Sequence, residues 1–167
     1  MRFYVFLIYL LLLCNNMLKD YEKWHRLKSK IETKNSMPFF REGEIWWCSL
    51  GLNIGTEEDG KNDLFERPVL VFHKFNKDMF FGLPMSSVKK FGKYDYSILL
   101  HNQERTVLIS QMRTLSAKRL IRRMGRLRQK KFLRVIRVLN VFFSNKTDPL
   151  RGPRVPQIHS EISDEKS

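Results

Sequence analysis

Glu44-Ile45-Trp46-Trp47-Cys48-Ser49-Leu50, Arg67-Pro68-Val69-Leu70-Val71-Phe72-His73-Lys74-Phe75 and Met79-Phe80-Phe81-Gly82-Leu83-Pro84-Met85 are the three runs that decide the fold. Each is short, rich in β-branched and aromatic residues, and bounded by polar or turn-forming residues, which is the pattern of a strand. Asn76-Lys77-Asp78 joins the second run to the third as a tight turn. Downstream, Tyr94 to His101 and Thr106 to Gln111 give two more strands, with Asn102-Gln103-Glu104-Arg105 as the hairpin between them. Five or more strands at this spacing predict a small β-barrel. Ser116 to Met124 is expected to close it as a short helix, with Ser116 as N-cap. His73 shares a strand with Val69 and Val71 on one face and is expected to be structural.

Helical periodicity flanks these strands on both sides. Leu18, Tyr21, Trp24, Leu27 and Ile31 recur every three or four positions, so residues 17–36 are expected to hold an amphipathic helix that stops before Pro38. Phe132, Val135, Ile136, Leu139, Phe142 and Phe143 make a second stripe, and the barrel with this C-terminal helix is expected to occupy residues 37–143. Residues 144–167, with three prolines and many charges, are expected to be a disordered tail. Residues 1–16 contain an apolar run from Phe3 to Cys14. It is too short to cross a bilayer as a helix, resembles a weak signal sequence without a small-x-small cleavage site, and equally suits a true start at Met17.

The whole chain, 167 residues with 43% apolar content, suits one globular domain and excludes a disordered protein. Its two cysteines, Cys14 and Cys48, lie far apart and outside any zinc or redox spacing, which points to a reducing compartment. Charge is the outlier: 31 Lys+Arg against 17 Asp+Glu give +14. The stretch from Arg105 to Thr147 has thirteen Lys/Arg and no acid, hence +13 of that excess, and implies an anionic partner. Two polar loops stand out, Gly51 to Glu66 and Ser86 to Lys93. The first, sixteen residues long, is expected to be functional or mobile.

Gly43-Glu44-Ile45-Trp46-Trp47, Gly55-Thr56-Glu57, Arg67-Pro68-Val69-Leu70-Val71, Leu83-Pro84-Met85-Ser86-Ser87 and Ser110-Gln111-Met112-Arg113-Thr114, in this order, resemble the MazF/PemK toxins of type II toxin–antitoxin systems. The resemblance covers residues 39–143. It implies an SH3-like barrel of the PemK/CcdB type, mainly β with short helices (α+β), to which this chain adds the N-terminal helix. It also implies a homodimer, a cognate acidic antitoxin, and a cytoplasmic, metal-independent endoribonuclease that cuts single-stranded RNA without a cofactor. The family's catalytic arginine maps onto Arg67, its catalytic threonine onto Ser86, and the loop hydroxyl onto Thr56. Ser86 keeps the hydroxyl but lacks the methyl that restricts the rotamer of threonine. Glu57, Ser87, Lys89, Lys90, Gln111 and Arg113 are the expected substrate contacts; no stable membrane partner is expected.

Metal-free RNA cleavage uses the 2′-hydroxyl as nucleophile, so the site must take one proton, supply another and stabilise phosphoryl charge. A planar guanidinium suits the last task, since it clamps two phosphate oxygens at once, whereas it is too basic to remove a proton readily. Taken alone, Arg67 at a strand start is expected to be exposed and to pair with Glu57 or Glu58. Of Trp46, Trp47, Phe80 and Phe81, alternation sends about half inward, and those left outside can stack on bases. Two other functions fit the same fold: a CcdB-like poison that binds a topoisomerase, and a nucleic-acid-binding barrel without catalysis.

Overall fold

In the computed structural model, residues 19–88, 95–100 and 102–144 are described. Helix α1 (Tyr21–Glu32) leads, then strands β1 (Glu44–Ser49), β2 (Glu66–Lys74), β3 (Met79–Ser86), β4 (Asp95–Leu100), β5 (Gln103–Leu108), β6 (Arg113–Ser116) and β7 (Leu120–Arg126), and helix α2 (Gln129–Ser144) ends the fold. The strands form one antiparallel sheet in the order β4-β5-β3-β2-β1-β7, with β6 also paired to β3.

Both faces of the central strands are buried, which is why their sequences read as nearly continuous apolar runs. Ile45, Leu70, Leu83 and Met85 pack on one side with Val107 and with Val135 and Leu139 of α2. Trp46, Cys48, Val69, Val71 and Phe80 pack on the other with Phe40, Leu115 and Leu120. Register fixes this division: Ile45 faces Leu70 and Trp46 faces Val69 across β1–β2. Phe80 is fully buried, a side chain whose removal from water stabilises by about 1.5–3 kcal/mol. Burial pushes the Cys48 thiol up to about 12, so it packs as a neutral apolar group.

The mainly β, α+β architecture agrees with expectation, with four differences of detail. The sheet is not closed: its end strands, β4 and β7, do not pair with each other, and β3 divides its pairing, Met79 to Gly82 bonding β6 while Met85 and Ser86 bond β5. The helix expected over 116–124 is instead a 3-10 turn, Ala117–Arg119, followed by β7, and Ser116 Oγ accepts from the Lys118 amide at 3.3 Å. Leu120 and Met124 mimic helical spacing, but the open edge of β1 offers a ladder that a helix would leave unpaired. The β4–β5 turn falls at Asn102, in the left-handed region at φ 60°, so β5 begins at Gln103 and gives way to a 3-10 turn, Ile109–Gln111. His73 is exposed: a register shift between Val71 and His73 turns it outward, where Nδ1 lies 2.9 Å from Glu42.

Asp20 caps α1 by accepting from the Lys23 amide at 2.9 Å, and Trp24 and Ile31 are the residues it buries. The helix stops at Glu32, short of Pro38. Residues 1–16 and 145–167 lie outside the described residues.

Glu44 is a buried carboxylate. Burial pushes its pKa up, but hydrogen bonds from Trp46 Nε1 (3.0 Å), the Arg41 amide (3.1 Å) and Arg123 (3.1 Å) outweigh this and hold it below its ordinary value. A carboxyl whose folded pKa is depressed adds stability that is present above the unfolded value and lost as pH falls through the folded one. Glu44→Gln is therefore expected to lose about 2 kcal/mol at pH 7 and less at pH 3. Urea denaturation of both proteins at the two pH values checks this; an equal loss at both would show that the charge is not the cause.

Candidate functional site

The loop between β1 and β2, residues 51–66, is a folded unit. Its base is closed by Gly60 N donating to Gly51 O at 2.8 Å and by reciprocal backbone bonds between Lys61 and Glu66, both 2.8 Å. Gly51 takes φ +88° against the face of Trp24, where any Cβ would lie 2.2 Å from the indole. Asn53 organises the interior: its amide donates to Asp59 Oδ1 (2.6 Å) and its Nδ2 to Glu58 O (2.7 Å). Gln111 clips the far side, accepting from the Glu58 amide (3.2 Å) and donating to Thr56 O (3.3 Å).

This loop is wrapped on Arg67. Nε donates to Asp59 O at 2.8 Å, Nη2 lies 2.8 Å from Glu58 Oε2, and Nη1 reaches Met85 O at 3.5 Å. Arg67 is only 8% exposed, against the expected open position at a strand start. Ser86 follows Met85 at the end of β3, and the β2–β3 register, Val69 against Pro84, carries Arg67 towards it. Its buried hydroxyl accepts from the Val88 amide at 3.1 Å, which leaves the O–H to donate elsewhere. Thr106 Oγ1 in turn donates to Val88 O at 3.2 Å and pins the turn. A guanidinium on the strand next to one that ends in a hydroxyl is an arrangement able to hold a phosphate.

The other expected residues divide. The carboxylate on Arg67 is Glu58, one position beyond Glu57; Thr56 and Glu57 are exposed at the loop tip. Gln111 and Arg113 support the loop from below, Arg113 Nη1 reaching Asn53 Oδ1 at 3.2 Å. Ser87 is exposed; Lys89 and Lys90 lie outside the described residues. Trp46 and Phe80 are core, while Trp47 stands under Arg122, its ring 4.8 Å from the guanidinium carbon, and Phe81 meets Phe75 at 4.6 Å. Glu58 is one of the two partners the sequence offers for Arg67; Asp59, with Asn53 behind it, is the further residue that the fold brings to the guanidinium.

Part of the basic excess is used internally. Arg122 makes a two-pronged contact with buried Glu66 (2.7 and 2.8 Å), and Arg123 pairs with Glu44. Arg126, Arg128, Lys130, Arg134 and Arg137 are exposed. Among the described residues, no three His, Cys, Asp or Glu side chains converge as a metal site requires.

A family model of PemK-like, MazF-like toxins of type II toxin–antitoxin systems matches residues 41–143. Among solved structures, the chain is similar to MazF (form I) from Deinococcus radiodurans, with TM-score 0.50 and 17% identity over 66% of this chain and 99% of that one. It is also similar to the Mycobacterium tuberculosis toxin MazF-mt6, with TM-score 0.47 and 15% identity over 60% of this chain and 96% of that one. No curated protein sequence matches. At such identities, the Deinococcus likeness shows a shared fold.

Proposed function

The chain belongs to the PemK-like, MazF-like toxins of type II toxin–antitoxin systems, and from that premise we propose that it is a metal-independent endoribonuclease acting on single-stranded RNA at short sequence motifs. The observation that supports this most is the buried Arg67 guanidinium, whose Nη1 reaches the carbonyl of Met85, the residue before the buried Ser86. In this reading the scissile phosphate takes the place of Glu58 on Arg67, whose two parallel N–H groups match two phosphoryl oxygens and offset the charge that develops there. Ser86 donates its free O–H to the same phosphate. The 2′-hydroxyl loses its proton and attacks phosphorus, the bond to the 5′-oxygen breaks, and that oxygen takes a proton from water, leaving a 2′,3′-cyclic phosphate and a 5′-hydroxyl. The displaced Glu58 supplies a base on the loop for the first transfer. Thr56 and Glu57 at the loop tip, with Ser87, Lys89 and Lys90 after β3, are proposed contacts to flanking nucleotides. Gln111 and Arg113 act by supporting the loop.

Membership in a type II system implies an antitoxin. The net charge of +14 favours an acidic one, bound to a toxin homodimer. No helix among the described residues is long and apolar enough to cross a membrane; a cytoplasmic site of action follows from the proposed substrate.

Purified protein incubated with single-stranded RNA in excess chelator is expected to yield fragments ending in cyclic phosphate and 5′-hydroxyl. Folded protein that leaves RNA intact but shifts it on a gel would favour the non-catalytic barrel. Intact, unbound RNA together with topoisomerase inhibition would favour the CcdB-like poison.

A further inference from the structure

Helix α1 precedes the segment that the family model matches, and its side chains run along the loop that carries Glu58 onto Arg67. Lys19 Nζ donates to Asn53 O at 2.6 Å and lies 2.8 Å from Asp59 Oδ2. Tyr21 OH donates to the same Asn53 carbonyl at 3.2 Å. Lys23 pairs with Asp63 at 2.6 Å, and Trp24 meets Phe65 edge-on with centroids 5.6 Å apart. The Lys19 and Tyr21 contacts converge on Asn53 and Asp59, which carry the guanidinium's partners. Asp59 binds Lys19 through its side chain and Arg67 through its carbonyl. Asn53 is held by Lys19 and Tyr21 at its carbonyl, and itself holds Glu58 and Asp59.

In this arrangement every nitrogen of the Arg67 guanidinium already has a partner, and its side chain is 10% exposed. Of the guanidinium's five N–H groups, those on Nε and Nη2 form the two-pronged edge that the loop occupies through Asp59 O and Glu58, so the loop must yield before an anion can be clamped on that edge. We propose that Lys19 and Tyr21 are positioning residues that latch the 51–66 loop closed over Arg67, so that the leading helix sets how readily the site admits a phosphate. This rests on Arg67 being the phosphate site. The latch works by population: apparent affinity is the intrinsic affinity scaled by the fraction of molecules whose loop is open.

The full chain is compared with Lys19→Ala/Tyr21→Phe, which leaves the Trp24–Phe65 packing intact. The probe is a single-stranded DNA oligonucleotide, which lacks the 2′-hydroxyl and cannot be cut by the proposed route. The variant is expected to bind it about three- to tenfold more tightly. Loss of a lysine from a basic protein by itself weakens binding to a nucleic acid, so a gain separates the latch from a general charge effect. Amide hydrogen exchange over residues 53–59 is expected to quicken in the variant, and Lys19→Arg is expected to restore wild-type affinity and exchange. Unchanged or weaker binding, or unchanged exchange, overturns the latch. Because neither readout needs turnover, a wild-type protein that fails to cut RNA would defeat the nuclease reading and leave this test in force.

Discussion

Arg67→Ala is expected to lower RNA cleavage by about two to three orders of magnitude, the usual cost of losing a preorganised donor aimed at developing charge. Arg67→Lys is not expected to recover the rate: a lysine can neutralise Glu58 but cannot present two parallel N–H groups to a phosphate. Folding must be checked alongside, because Arg67 is buried and its loss leaves Glu58 and the Asp59 carbonyl without their donor. The Glu58 side chain is 15% exposed, so the variant leaves a largely buried carboxylate and a loss of about 3–5 kcal/mol is expected. Ser86→Ala removes one neutral hydrogen-bonding group together with the acceptor for the Val88 amide, and should cost about tenfold. Rates measured on protein shown by circular dichroism and urea denaturation to be folded decide the matter. Cleavage by folded Arg67→Ala at the wild-type rate would remove this residue from the chemistry, and the proposed mechanism with it.

How much of this site was legible in advance depends on where each piece of information resides. Strands β1, β2 and β3 were readable because their signal is local: apolar runs bounded by turn residues, long enough to be buried on both faces. Helix α2 was readable from its apolar stripe, and Val135 and Leu139 on that stripe are what it buries. Strand β7 was not readable. Leu120, Ile121 and Met124 separated by Arg122 and Arg123 satisfy helical spacing as well as alternation, and what decides between them is the vacant edge of β1, more than seventy positions earlier. The ion pairs that make two arginines acceptable there, to Glu66 and Glu44, are equally non-local.

The site shows the same division at finer scale. Arg67 and Ser86 are named by the resemblance to the family's motifs, which implies a catalytic arginine at the start of the second strand and a catalytic hydroxyl at the end of the third. Which of Glu57 and Glu58 meets the guanidinium could not be named in that way, nor that the Asp59 carbonyl meets it as well. That choice depends on the loop's path, and the path is set by Asn53 within it, Gln111 beyond β5 and Lys19 before α1. Periodicity gave the N-terminal helix its apolar face but said nothing of its polar contacts with the loop. Polar contacts across long sequence separations have no periodic signature, and they are what arranges the candidate site in this protein.

The loop's base gives the second large effect. A Cβ at Gly60 would fall 1.7 Å from Phe65 O and 2.1 Å from Phe65 C, both backbone atoms that cannot swing aside as a side chain can. Phe65 has little freedom to move, since it sits at φ 44°, buries its ring against Trp24 and supplies the carbonyl that accepts from the Gly51 amide at 3.2 Å. Gly60→Ala must therefore break the Gly60–Gly51 bond or the Lys61–Glu66 pair, and is expected to destabilise by about 3 kcal/mol, at the upper end for overpacking. Gly55→Ala is the contrast. It has nothing within 4 Å but sits at φ +58°, so only the left-handed backbone penalty of about 1 kcal/mol applies. Gly60 adjoins Asp59, so the same change also pulls the loop's carbonyl from Arg67, and amide exchange over residues 53–59 should accelerate well beyond the Gly55→Ala protein. Urea denaturation of the two variants tests the ranking. Equal stabilities would mean that the loop's base yields to a methyl group, and a base so pliant could not hold Glu58 on Arg67.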